Sequence, residues 1–394
     1  MTVSGRVLIL HCSSAAAYPP ILNAAAMIGA ADLQVTVLSS PSRVVAVLVA
    51  PEKRNVRHVA TPIRPSAAIR PVDFAIFWLF ALYLALVLRP RTIYASDPLA
   101  SGPALWAARL CGAEVIYHEH DTPRAGRLAP IVARWRRALA HRACLVVTPN
   151  ASRGEAVRAE LGLAAAKMRT VWNTPMRAEL QVLPVRTRRP LLIYYHGSIT
   201  PDRLPRTVAT AVRRFGDRLQ LRIGGYEAPN ANGYSNELVA AGQSCAGPGV
   251  ISFAGVVPTH DDLLAVAAQA DVGLALMPMR SDDINMRHMT GASNKAFDYM
   301  AAGLPLIVSN LPEWREMFVE PGYGLACDPE DPDSIVAVLT WFLDHEAERQ
   351  AMGARGRAKI EADWNYDTAF APILATLFGN DSISRPAPAT DFQR

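Results

Sequence analysis

Thr290, Gly291, Ala292 and Ser293 form a short polar stretch that runs into the helix-like segment Asn294–Ala302, within MTGASNKAFDYMAAGLPLIVSN. A loop feeding a helix leaves backbone N–H groups free and turns the positive end of the helix dipole toward whatever lies over Ser293 and Asn294. A pyrophosphate suits that place. Asp298 comes one turn later, about 6 Å further along the axis from Asn294, which is ribose distance from a phosphate. Gly303 and Pro305 then end the helix before an apolar strand, Pro305–Ser309.

Three further groups carry chemistry. In YYHGSITPDRLPR, an apolar run ends at His196-Gly197, and Ser198 and Arg203 follow. An arginine there has the planar fork that grips phosphate in two places. In LRIGGYE, Gly224 and Gly225 permit close backbone approach to a ligand, as does Gly255 further on. In AEVIYHEHDTPR, the run Val115–Tyr117 leads straight into His118, Glu119, His120 and Asp121. Ionisable groups at the carboxyl end of a parallel strand stand where α/β folds put their chemistry. His11, after Val7–Leu10, occupies a similar strand end.

These groups need a scaffold, and the hydrophobic pattern supplies one. Strand-like runs at Val7–Leu10, Val35–Leu38, Thr92–Ala95, Val115–Tyr117 and Cys144–Val147 are separated by stretches of helix length. After the Pro/Arg-rich segment Thr174–Pro190 the pattern restarts with Leu191–Tyr195, Leu221–Ile223, Val250–Phe253, Val272–Leu276 and Leu306–Ser309. Strands alternating with helices predict parallel sheets covered on both faces, here two Rossmann-like halves of an α/β protein. The expected divisions are an N-terminal domain over 1–178, a C-terminal domain over 183–362, a helix over 363–379 and a tail over 380–394 with no core-forming pattern.

Composition agrees with two globular domains: the 394 residues are 51% hydrophobic and 19% charged. Five scattered cysteines without CxxC spacing suggest neither a disulfide framework nor a zinc site, and a reducing cytoplasm fits. The amino terminus has only a four-residue apolar run, VLIL, too short for a signal-peptide core. Residues 1–180 hold 21 Lys+Arg against 10 Asp+Glu, out of totals of 40 and 35. The first half is therefore +11 and the second −6. That asymmetry predicts an anionic partner for the first half, and the dispersed basic residues favour a lipid surface over nucleic acid.

The segment FDYMAAGLPLIVSNLPEWREM resembles the donor-binding segment of retaining GT-B glycosyltransferases of the family 4 type, also called glycosyltransferase group 1. The resemblance implies two Rossmann-like domains facing across a cleft, and metal-independent transfer from a UDP- or GDP-linked sugar with no other cofactor. In that family two glutamates lie eight positions apart. The second, which binds ribose, corresponds to Asp298, and the first corresponds to Thr290, which is not acidic; Asp282 and Asp283 are the nearby substitutes. The family's phosphate-binding Arg and Lys correspond to Ser198 and Arg203, with Arg206 or Lys295 available to replace the lost charge. His120-Asp121 aligns with the usual His-Asp pair facing the sugar, and His118 and Glu119 flank it on the acceptor side. Catalytic roles are thus expected for His120, Arg203 and Asp298, and donor binding for Gly197, Ser198, Arg203, Gly224, Gly225, Ser293, Asn294, Lys295 and Asp298. The helix over 363–379 would cross back onto the first domain. The family's glycine-rich acceptor loop is replaced by SSAAAYPP after His11, which predicts a different acceptor pocket.

Phe74–Leu88 is fifteen uninterrupted apolar residues, short of the twenty or so that span a bilayer. Either it is buried in the first domain, as the resemblance implies, or it lies partly in a membrane surface beside Arg134, Arg136, Arg137 and Arg142. The expected function is sugar transfer to a glycan, lipid-linked or small-molecule acceptor, in the cytoplasm or at the inner membrane face. A nucleotide-sugar epimerase and a degenerate nucleotide-sugar-binding subunit are the alternatives.

Overall fold

The computed structural model describes residues 5–40, 47–62, 71–123, 126, 128–184, 190–228, 231–242 and 250–379. Cys245 and the tail over 380–394 lie outside them. A seven-stranded sheet has the order β3-β2-β1-β4-β5-β6-β7, formed by β1 (Arg6–His11), β2 (Gln34–Ser39), β3 (Val56–Ala60), β4 (Thr92–Ser96), β5 (Glu114–His118), β6 (Leu145–Thr148) and β7 (Met168–Thr170). A six-stranded sheet has the order β10-β9-β8-β11-β12-β13, formed by β8 (Leu191–Ile199), β9 (Leu219–Glu227), β10 (Ile251–Gly255), β11 (Val272–Ala275), β12 (Leu306–Ser309) and β13 (Gly324–Cys327). Every pairing among these strands is parallel. The expected pair of Rossmann-like domains facing across a cleft is present, and its central strands are the apolar runs of the sequence. Such strands are buried on both faces, so nothing in them alternates. β8 runs on through Gly197 to Ile199 instead of stopping at Tyr195, and the helix after it starts at Arg206, not Leu204.

The last helix, Tyr366–Leu377, packs onto the N-terminal domain. Tyr366, Phe370 and Ile373 share a core with Ile21, Ala24 and Ile28 of the Pro19–Ala30 helix, and the Tyr366 hydroxyl donates to the Pro20 carbonyl. The chain therefore crosses between domains twice, once through the segment around Pro175 and once here.

The apolar helix spans Pro71–Leu88, 18 residues with a mean hydropathy of 2.1, and only 22% of it is buried. Phe77, Ala81, Leu84 and Ala85 face the core, while Leu79 and Tyr83 are 65% and 61% exposed. It packs with the Asp97–Cys111 and Pro130–Arg142 helices, and the Trp78 and Trp135 rings meet edge-on at 4.7 Å. Of the two expectations for this segment, burial in the domain is corrected: the helix is covered along one side and most of it is not buried. The covering helices reach one side only, and Leu86, Val87, Trp106, Leu110 and Ile131 are also exposed.

Candidate functional site

A cleft of about 430 Å³ lies between the carboxyl ends of the two sheets and takes lining residues from both. Its C-terminal wall starts where β8 and β9 run side by side, with Gly197 in register with Gly225. The two backbones are packed so closely that a Cβ on Gly225 would stand 2.0 Å from the Gly197 carbonyl oxygen. Their φ values of 103° and 128° are open only to glycine. The flat floor this makes is flanked by side-chain cations. Arg203 donates from Nη1 to Ser198 Oγ at 2.6 Å. Lys295 is buried, with its Nζ 5.4 Å from the centre of the Tyr195 ring. Burial, helped by the Arg203 charge, pushes the Lys295 ammonium down to about 7. The Asp298 charge offsets only part of that cost, so this corner favours an anion.

The Asn294–Ala301 helix starts in the same wall. Ser293 is its cap residue but makes no side-chain capping bond, which leaves the first amides open to the cleft. Asn173 pins the preceding loop, donating to the Ala292 and Gly291 carbonyls at 2.7 and 2.9 Å through its side chain and backbone. One turn into the helix, Asp298 is buried and accepts from His260 Nε2 at 3.0 Å on one oxygen, and its other oxygen faces His196 Nε2 at 3.4 Å. Burial holds His196 well below the usual histidine range, so it is neutral.

The opposite wall is built by the loop after β5. Asp97, held at a φ of 66°, accepts the His120 amide at 2.8 Å and the Asp121 amide at 3.3 Å, and so shapes that loop. Burial, reinforced by the Asp121 charge, pushes the Asp97 carboxyl well above the usual carboxylate range. The His120 ring is buried against His118, with centroids 3.7 Å apart, and neither His120 nitrogen has a hydrogen-bond partner. Burial, then the His118 charge, holds it well below its ordinary value, leaving a neutral imidazole facing the cleft. Tyr18, from the segment that replaces a glycine-rich loop, lines the same end and packs edge-on to His11 at 4.5 Å.

The expected site residues divide clearly. His120, Asp121, Gly197, Ser198, Arg203, Gly224, Gly225, Ser293, Asn294, Lys295 and Asp298 all line the one cleft. His118 lies beneath it, bonded through Nδ1 to the Tyr94 hydroxyl at 2.5 Å. Glu119 points away altogether. Successive residues of an extended strand face opposite sides, and Glu119 is fully buried in a two-point bond to Arg136 at 2.7 and 2.8 Å, with the Tyr117 hydroxyl added. His11 is satisfied by Ser96 and Ser13. Arg206 pairs with Glu237 on the exterior and does not join the cleft. Thr290 is held through its carbonyl by Asn150, and Asp283 caps the short Ile284–Arg287 helix. Neither they nor Asp282 are among the described lining residues. Arg153, Glu179 and His260 line the cleft without any local signal in the sequence; their partners come from distant segments.

The arrangement can bind a diphosphate between Arg203, Lys295 and a helix start, place a ribose near Asp298, and offer a neutral imidazole across the gap. Comparison with known proteins bears on the family and the fold. A model described as Glycosyltransferase Family 4 matches residues 21–174, and one described as Glycosyl transferase-like matches 203–375. A GDP-mannose-dependent alpha-(1-6)-phosphatidylinositol monomannoside mannosyltransferase of Mycobacterium tuberculosis is 29% identical over 209 residues, 52% of either chain. The match thus spans about half the length of that curated relative. Among solved structures, sucrose-phosphate synthase from Thermosynechococcus elongatus superposes with a TM-score of 0.70 at 14% identity, covering 95% of this chain and 99% of that one. Anabaena HepE in complex with UDP superposes with a TM-score of 0.67 at 14% identity, covering 95% and 100%.

Proposed function

We propose that this chain, a member of the group 1 glycosyltransferases with the GT-B fold, transfers a hexosyl group from a nucleotide sugar to an acceptor held between its domains. The observation that carries the reading is the convergence of Arg203, Lys295 and the Asn294 helix start beside the Gly197–Gly225 floor, opposite His120. Charge grows on the diphosphate as the glycosidic bond breaks, and preformed donors aimed at it stabilise the transition state. Side-chain cations and a helix start fill the role a divalent ion would play, so the reaction is read as metal-independent. Retention without a covalent intermediate is read from the likeness of the donor-binding segment to that of the retaining family 4 enzymes. His120 faces the sugar, and Asp298 holds the ribose.

GDP-mannose is the first donor to test, because the mycobacterial relative is named for it. A lipid-linked acceptor fits the exposed apolar helix Pro71–Leu88 on the more basic domain, and free thiols at Cys12, Cys111, Cys144 and Cys327 fit the cytoplasmic face of a membrane. The test is incubation of purified protein with UDP- and GDP-sugars, with and without a chelator, and with soluble and lipid-linked acceptors. Product formation with unchanged anomeric configuration by NMR supports the reading, and epimer formation or binding without turnover refutes it. Asp298→Ala should weaken donor binding at least tenfold, since a charge-assisted hydrogen bond contributes about 1.5–3 kcal/mol.

A further inference from the structure

Asp298 is not a free carboxylate. Its Oδ1 is taken by His260, whose ring bridges to a second acid: His260 Nδ1 meets Glu179 Oε1 at 2.8 Å while Nε2 meets Asp298 Oδ1 at 3.0 Å. All three side chains are largely withdrawn from solvent, at 14%, 8% and 2% exposure for His260, Glu179 and Asp298. Burial alone would lower the imidazole's affinity for a proton, but the carboxylates on either side hold it well above the ordinary histidine value, and His260 in turn keeps Glu179 below the carboxylate range. A cation bonded at both nitrogens has one orientation, and so has the acid it holds.

The outer member of this chain belongs to the connection between the domains. Glu179 ends the short Arg177–Glu179 turn and fixes it by accepting the Met176 amide at 2.7 Å. Arg177, at the other end, donates to the Ala362 carbonyl at 2.9 Å, and its amide donates to Asp367 at 2.8 Å, both at the second crossing between domains. One turn thus touches both crossings and, through one imidazole, the acid in the cleft. Aspartate is a methylene shorter than glutamate, so its carboxylate needs a fixed direction to present Oδ2 to a ligand.

We propose that His260 is a positioning residue for the donor's ribose, orienting the Asp298 carboxylate under restraint from Glu179 in the interdomain connection. The proposal rests on Asp298 being the ribose contact. A donor that binds Asp298 then also tightens the connection between the two domains, and the nucleotide end of the cleft responds to substitutions at Glu179.

The experiment is calorimetric titration of the full chain with GDP and UDP and with their 2′,3′-dideoxy counterparts, which lack the ribose hydroxyls. The wild type should bind the ribose forms at least tenfold more tightly, the scale of a pair of charge-assisted hydrogen bonds. His260→Ala should abolish that preference while leaving dideoxy binding unchanged. His260→Gln, which keeps an N–H where Nε2 stands, should restore ribose binding to within about threefold. Glu179→Gln should act in the same direction, and with His260→Ala it should add nothing further, because a residue acting through another is silent once that one is gone. In turnover the loss should fall on the donor KM, with kcat kept. Equal loss for ribose and dideoxy forms in His260→Ala, no rescue by glutamine, or additivity with Glu179→Gln would overturn the proposal. If His260→Ala does not fold, Glu179→Gln carries the same test. A wild type that binds both forms equally removes Asp298 from the ribose and the proposal with it, whereas one that binds no nucleoside diphosphate overturns the donor-site reading itself.

Discussion

Arg153 donates from Nη1 to the carbonyl oxygen of His120 at 2.7 Å, and its other nitrogens reach the Asn285 carbonyl at 2.7 Å and the His288 carbonyl at 2.9 Å. One buried guanidinium from the N-terminal domain thus fixes the backbone behind the cleft imidazole and a loop of the C-terminal domain together. Removing it takes a donor from the His120 and Asn285 carbonyls, at roughly 1–3 kcal/mol for each that stays dry, while the His288 carbonyl keeps the Asn150 side-chain amide at 2.7 Å. Arg153→Met should therefore lower the unfolding free energy by about 3 kcal/mol or more in denaturant melts. Arg153→Lys, a point charge without the fork, should recover only part of it.

Glu119 and Arg136 make the second buried pair. A carboxylate left without its cation in that site is strongly destabilising, by about 3–5 kcal/mol, because it has lost water and keeps only the Tyr117 hydroxyl. Arg136→Met should show that loss, and Arg136→Met with Glu119→Gln should be more stable than the single variant. The two results are read from chemical denaturation. Donor binding should survive in both, since neither side chain reaches the cleft.

How much of this was legible in the residues follows from where their partners lie. The central strands were read because burial on both faces demands uninterrupted apolar runs. β3, β7 and β13 were not, and all three are sheet edges: VRHVA and MRT carry exposed arginines and only partial burial, so neither offers a run. The donor side of the cleft was read from local order, because Ser293, Asn294, Lys295 and Asp298 share one loop and helix. Glu119 was assigned with its neighbours, and the alternation of the strand sends it the other way to an arginine seventeen positions on. Arg153 and His260 left no trace, since each answers to groups from remote segments. Arg136, counted among the basic residues for a lipid surface, is buried in its ion pair.

The role proposed for Arg203 is to act on charge that grows during the reaction. If it grips the departing diphosphate, Arg203→Ala should depress kcat more than it raises the donor KM, because only interactions that strengthen in the transition state accelerate the step. A loss of about 2.7–4 kcal/mol, 10²–10³ in kcat, is the scale seen when one donor to a developing anion is removed. A rise in KM alone would make it a ground-state anchor. Steady-state kinetics with varied donor decide between them.

Lys295 gives the pH dependence. Its ammonium sits at about 7 in the folded protein against an ordinary 10.5. Between those values the unfolded chain holds the extra proton, so the stability contribution of this group rises with pH over that window, and its full penalty applies below about 7. Binding a diphosphate restores the charged form. Nucleoside diphosphate affinity should therefore fall as pH climbs from 7 toward 9, with a proton taken up on binding. Calorimetry in buffers of different ionisation enthalpy measures that uptake directly. Lys295→Met should remove most of it; uptake that persists there would assign the effect to another group.

The exposed side of the Pro71–Leu88 helix tests the acceptor class. Leu79, Tyr83 and Leu86 stand out from the domain, with Trp106 and Ile131 on the two helices packed beside it, and Arg109 lies over Trp106. Arg134, Arg137 and Arg142 are exposed on the third of these helices. If this layer rests on lipid, the protein should co-sediment with vesicles containing anionic lipid and poorly with neutral ones. Each basic residue near the surface contributes about 1 kcal/mol, which added salt screens. Leu79→Glu with Leu86→Glu should abolish vesicle binding while the melting temperature stays within a few degrees, because exposed positions carry little of the fold's stability. Turnover on a lipid-linked acceptor in vesicles should fall in parallel, and turnover on a soluble acceptor should not. Failure of the folded wild type to bind anionic vesicles at low salt would remove the lipid surface and leave a soluble acceptor as the one to pursue.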